Sequence, residues 1–317
     1  MRQVIGVAMG VVLALASLAG AAGVGFVAGY TACCGLGRRA AEHVVTGTGP
    51  DRIVLVRLVG PIVREGGAFP FGSGVSSREV VTLLDRAQQD PRVRAVVLEL
   101  NTPGGSVVAS AEIHDRVLAL RRAGKPVVAL LTEVAASGGY YVAASADRIV
   151  ADPSTITGSI GVIVVLTNVE ELQRKLGIRT VVFKSGRFKD MGNPARPISA
   201  EEARIFEGLV QEAYDRFVDV VASGRRLDRA RVVELADGRI YTGRQALRLR
   251  LVDHLGGRPE AFALARQLAR LTQATVVEYG RPGLVERLLG LVHDAVSSWS
   301  VHPEAAPAFS LQYRMVP

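Results

Sequence analysis

Twice in this chain a short apolar run ends in a glycine-bearing turn and a helical pattern begins at once, a repeated junction that limits the possible folds more than any other feature. The run Ala95 to Leu100 enters Asn101-Thr102-Pro103-Gly104-Gly105-Ser106 ahead of a helical pattern from Ser106 to Arg122. The run Val127 to Leu131 leads through Glu133-Val134-Ala135-Ala136 into Ser137-Gly138-Gly139-Tyr140-Tyr141, where a second helix opens. The alternation extends outward: strand patterns at Ile53 to Val59, Arg148 to Val150 and Arg179 to Phe183, helical patterns at Ser77 to Gln88 and near Val169 to Leu176. Strands that alternate with helices predict an α/β fold of parallel strands joined by right-handed crossovers. One long helix is expected from Ser199 to Ser223, with Ser199 and Glu202 forming a capping box, and helices dominate from there on.

Composition narrows the partners. The net charge of +8 suggests nucleic acid, but the arginines are scattered and no basic block is interleaved with aromatics, so no nucleic-acid partner is expected. Cys33 and Cys34 are the only cysteines, which leaves the folded part without a disulfide or a cysteine-based zinc site. Val4 to Tyr30 is a run of 27 residues without a charged side chain. As a helix it measures about 40 Å, enough to cross a bilayer with some tilt, and it is longer than the apolar core of a cleaved signal. The expected organisation is a transmembrane anchor at 1–30, a Gly/Ala/Thr/Arg tether at 31–50, a folded domain at 51–280 and a C-terminal tail at 281–317. The tail carries an amphipathic stretch, Leu284 to Val296, that suits a helix.

Two glycine turns at strand ends suggest chemistry. The Gly104-Gly105 turn at a helix N-terminus offers free backbone N–H groups, as an oxyanion hole requires, though a structural turn looks the same. Ser137 sits where a nucleophile belongs, with the Gly138 N–H beside it; the competing reading is a plain helix cap. A serine nucleophile needs a base, and none of His43, His114, His254, His293 and His302 lies in a glycine-rich setting, so a Ser-His-Asp triad is poorly supported. Lysine is scarce, at positions 125, 175, 184 and 189 only, and two of the four fall in the loop Phe183-Lys184-Ser185-Gly186-Arg187-Phe188-Lys189-Asp190-Met191-Gly192. A lysine acts as a base once burial lowers its pKa from about 10.4 to roughly 7 or 8.

Taken in order, PGGS, AASGGYYVA, TGSIGV and KSGRFKDMG resemble the signal peptide peptidase A family of Ser-Lys proteases, over roughly Ile53 to Gly257. The resemblance implies Ser137 as nucleophile, Lys189 as general base and Ser159, of TGSIGV, as a hydrogen-bonding partner of the lysine. It implies an oxyanion hole from Gly104, Gly105 and Gly138, and neither a metal nor an organic cofactor. It further implies a Clp-protease/crotonase-like fold in a homo-oligomeric ring, with one dyad per subunit and no catalytic residue carried over from a neighbour. The domain is expected outside the cytoplasm on a single-pass cell-membrane anchor, degrading released signal peptides or similar apolar peptides, with small or apolar side chains preferred at the cut. Two other readings are a crotonase-type acyl-CoA enzyme and a membrane-bound Ser-Lys protease that trims a membrane protein's tail. Two positions depart from the family pattern: Glu99, where a basic or neutral residue is expected, and Arg250, where glycine is expected ahead of Leu251-Val252-Asp253.

Overall fold

The structure is a computed structural model, and it describes residues 42–65, 68–69, 72–279 and 312–314. The expected anchor, most of the tether, Cys33, Cys34 and the amphipathic stretch of the tail lie outside these residues. Among the described residues no helix is long and apolar enough to cross a membrane.

A mixed α/β fold on a mostly parallel sheet is present. In chain order the strands are β1 (Glu42–Thr46), β2 (Arg52–Val59), β3 (Ile62–Val63), β4 (Ala68–Phe69), β5 (Gly72–Ser73), β6 (Val75–Ser76), β7 (Val93–Thr102) and β8 (Gly104–Ser106). They continue with β9 (Val127–Ala136), β10 (Arg148–Ala151), β11 (Ile156–Gly158), β12 (Ile240–Thr242), β13 (His254–Leu255), β14 (Thr275–Tyr279) and β15 (Gln312–Arg314). The main sheet runs β1-β14-β2-β7-β9-β10-β13, with β11 paired to β9 and to β12. From β14 to β13 every neighbouring pair is parallel. A second, smaller sheet runs β15-β8-β3-β6, and β4 pairs with β5.

The central strands read as nearly continuous apolar runs because both faces are covered. Val54, Val56, Val96, Leu98, Ala129 and Leu131 point into one core, under the helices Ser77–Gln89, Val107–Arg122, Gly138–Ala143 and Ala200–Arg225. Their alternates Ile53, Leu55, Ala95, Val97, Val128 and Leu130 meet Ala261, Phe262 and Ala265 of the helix Arg258–Leu268 on the other face. The long helix starts as its capping box dictates: the Glu202 N–H donates to Ser199 Oγ at 3.2 Å, and the Ser199 N–H to Glu202 Oε2 at 2.8 Å.

Two segments depart from expectation. The β-branched end of the stretch read as tether forms β1, next to β14 at the edge of the sheet. The run Arg179 to Phe183, expected as a strand, pairs with nothing in the sheet and lies exposed, with Phe183 at 95% and Val181 at 66%. β-branched content alone does not make a strand when, among the described residues, no sheet edge takes up its backbone groups.

Arg225, at the end of the long helix, ties that helix to the sheet. Its guanidinium donates to both oxygens of Asp253, at 2.8 and 3.0 Å, and Asp253 also accepts the Ile149 N–H of β10 at 2.7 Å. Burial by itself raises the pKa of Asp253, but the Arg225 hydrogen bond and charge outweigh it and hold the carboxyl below its ordinary value. The folded state therefore binds fewer protons there than the unfolded chain, so this contribution is complete above about pH 4 and is lost as pH falls through the lower folded value. Arg225→Ala, which strands a largely buried carboxylate, is expected to cost about 3 kcal/mol in urea unfolding at pH 7. At pH 3 the gap to the parent should shrink, and an equal gap at both pH values refutes the assignment.

Candidate active site

β7 and β9 run side by side, and after a bulge Thr102 stands opposite Ala135. Two residues further on, both chains leave the carboxyl end of the sheet, one at Gly104 and the other at Ser137. The two junctions pack directly together: a Cβ added at Gly139 would lie 2.7 Å from Thr102 Cγ2 and 3.2 Å from Thr102 O. Only glycine lets the helix Gly138–Ala143 approach so closely.

Ser137 precedes that helix with φ 53° and ψ −119°, a sparsely populated conformation for a residue with a Cβ. It stands at the cap position, yet its side chain makes no capping hydrogen bond. Ser137 is 1% exposed, and its Oγ has no hydrogen-bond partner among the described residues. A buried hydroxyl without a partner costs stability, and such groups concentrate where chemistry needs them free. The geometry therefore speaks against the cap reading.

β11 holds the turn from the side. The Ser137 N–H donates to Gly158 O at 2.8 Å, and Gly158 stands in register with Ala136. Ser159 thus leaves its strand end alongside Ser137, with φ 49° and 9% exposure, its N–H donating to Arg239 O at 2.8 Å. Two serines in left-handed turns meet at the ends of adjacent strands.

The expected oxyanion donors differ in availability. Gly138 and Gly139 are the first residues of a helix, whose N–H groups have no intrahelical acceptor. The Gly104 N–H is engaged by Thr102 Oγ1 at 3.1 Å. Gly105 lies between β3 and β15, opposite Ile62 and Tyr313, and a Cβ there would run into the Ile62 backbone.

Among the described residues Lys189 makes no hydrogen bond to Ser137 Oγ. It lies in turns following the exposed run 178–183, and its ammonium makes no hydrogen bond or ion pair among the described residues. Its neighbour Asp190 is taken: Arg196 first, then Lys184, hold this carboxyl far below the usual carboxylate range. Lys189 is the cation this loop leaves unpaired.

The residues that sequence set aside find structural partners. His114 is buried beside Tyr141, with ring centres 5.1 Å apart, and its Nδ1 lies 2.8 Å from Asp115; burial lowers its pKa. Glu99 is held by both arms of Arg258, at 2.6 and 2.8 Å. Sequence reading missed Thr102 and Gly158, which shape the two turns; Gly158, in the TGS triplet, has φ 79° and no room for a side chain against the Tyr241 ring. Among the described residues no group of three or more His, Cys, Asp or Glu converges as a metal site requires.

Comparison with known proteins finds peptidases. The model of peptidase family S49 matches residues 119–272. A candidate signal peptide peptidase SppA of Enterococcus faecium is 40% identical over 75% of this chain and 70% of its own length. The chloroplastic serine protease SPPA of Arabidopsis thaliana is 34% identical over 74% of this chain but only 35% of its own length. Protease 4 of Haemophilus influenzae is 34% identical over 72% of this chain and 37% of its own. The chain thus spans about a third of these two longer relatives.

Proposed function

Because the chain belongs to the signal peptide peptidase A family, peptidase family S49, and is a serine protease, we propose that it cuts released signal peptides, or similar apolar peptides, with Ser137 as nucleophile and Lys189 as general base. The observation that carries this reading is the strained, buried Ser137, whose hydroxyl has no hydrogen-bond partner among the described residues. Lys189 takes the Ser137 proton, Ser137 attacks the scissile carbonyl, and the oxyanion is received by the Gly138 N–H, with the Gly104 N–H joining only where it leaves Thr102 Oγ1; water then releases the acyl group. Ser159, beside Ser137, holds the lysine in line. The architecture fits a Clp-protease/crotonase-like fold, and the run Val4 to Tyr30 anchors the domain in the cell membrane with its active site outside the cytoplasm.

In the lone subunit Lys189 is exposed to solvent. Burial is what converts it into a base, and the arm that bears it is built to be buried. Val165, Leu176, Ile178, Val181 and Phe183 are all more than half exposed. Covering a phenylalanine of this kind contributes about 1.5–3 kcal/mol. Docked on a neighbouring copy in a ring, the arm carries Lys189 to that copy's Ser137.

The test is hydrolysis by the full chain in detergent of a fluorogenic peptide with the apolar core of a signal sequence, together with labelling by a serine-directed phosphonate. Cleavage of the apolar peptide in preference to a charged one, with the adduct on Ser137, is expected. An adduct elsewhere refutes the nucleophile, and efficient cleavage of charged peptides or only of a membrane protein's tail refutes the substrate class.

A further inference from the structure

The far end of the helix Gly138–Ala143 opens on a hollow of about 770 Å³ that the peptidase reading does not use. Six arginines line it against three aspartates. The aspartates are already neutralised: Asp147 by Arg121 at 2.7 Å, Asp253 by Arg225 at 2.8 Å, and Asp219 by Arg229, outside the hollow, at 2.8 Å. Arg216 turns toward Asp115, at 3.9 Å. Arg148, Arg226 and Arg250 are left without a carboxylate partner among the described residues; Arg148 only bonds the Asp147 carbonyl at 2.7 Å.

Backbone geometry marks two of the three, Arg226 and Arg250. Among the described residues five non-glycine residues have positive φ: Ser137, Ser159, Arg226, Arg250 and Arg270. Two belong to the active-site turns and two, Arg226 at 53° and Arg250 at 62°, line this hollow. Glycine serves a left-handed turn with less strain, and glycine is the residue expected at 250. Both residues close helices, where a left-handed residue is common, and arginine there in place of glycine sets a charge at the hollow.

We propose that this hollow binds a phosphate-bearing polyanion, held by Arg148, Arg226 and Arg250 above the buried Arg225–Asp253 pair. Three guanidiniums that form no ion pair among the described residues, around one hollow, suit a compact ligand with several charges, and the planar fork of arginine matches phosphate oxygens two at a time. The volume suits an oligophosphate, a nucleotide or a phospholipid headgroup.

The test titrates tripolyphosphate into the full chain in detergent by calorimetry, comparing the parent with Arg226→Gly/Arg250→Gly. Glycine relaxes both left-handed turns, so this variant loses charge without losing the fold, and its melting temperature should not fall. Binding at least tenfold weaker in the variant supports the site, as does retained affinity in Arg204→Ala/Arg244→Ala, which removes the same charge from exposed positions elsewhere. Flotation with phosphatidylglycerol against phosphatidylcholine vesicles identifies the source: a loss confined to phosphatidylglycerol in the glycine variant, with no tripolyphosphate binding by the parent, makes the ligand a lipid headgroup. Equal binding of both probes by the parent and the glycine variant, or no binding of either, overturns the proposal.

Discussion

Ser137→Ala should abolish peptide hydrolysis, by about 10⁴-fold or more, and yet melt no lower than the parent. The two halves of this expectation rest on one observation. The hydroxyl is buried and has no hydrogen-bond partner among the described residues, so removing it breaks no hydrogen bond there and relieves the cost of an unsatisfied polar atom, about 1–3 kcal/mol. The left-handed backbone at 137 is unchanged in alanine, so the turn strain neither grows nor falls. Activity by peptide hydrolysis and stability by urea unfolding, on the same preparation, check both. A variant that loses activity by unfolding does not count, and one that keeps more than about a hundredth of the activity removes Ser137 as nucleophile, since oxyanion stabilisation alone leaves far less.

Subunits of Ser137→Ala and of Lys189→Ala, each inactive alone, should recover activity when unfolded together and reassembled. If the base of one copy serves the serine of the next, random mixing gives about one quarter of the sites both wild-type residues, and hence about one quarter of the parent's specific activity. If the dyad is completed within a single chain, no chain in the mixture holds both residues and nothing is recovered. Phe183→Asp supplies the control: with a charge at the most exposed apolar position of the arm, assembly should fail and activity with it, although the fold of the subunit is untouched.

The central fold was legible because its signals are local. Alternating apolar runs and helical patterns specify the parallel sheet, the Ser199/Glu202 capping box marks the start of the long helix, and glycines at 104, 105, 138 and 139 announce the two strand-end turns. What was illegible depends on partners distant in sequence. The strain at Ser137 follows from Gly158 and Thr102, which reach it through register, and no periodicity reports register. The Arg179 to Phe183 run reads as a strand because β-branched residues suit any covered apolar surface, and a single chain cannot say whether its own sheet or another molecule supplies the cover. Glu99 and Arg250 stood out as oddities; one proves to be half of an ion pair and the other a strained residue on the rim of a basic hollow.

The pairing of β15 with β8 has a consequence for how the enzyme meets a peptide. Gln312–Arg314 lie antiparallel to Ser106–Gly104, the edge beside the nucleophile turn. A peptide that approaches Ser137 along this edge must trade places with a strand of the same polypeptide. Such a rival is present at a local concentration fixed by its tether and cannot be diluted away. The occupancy of the edge therefore does not depend on protein concentration.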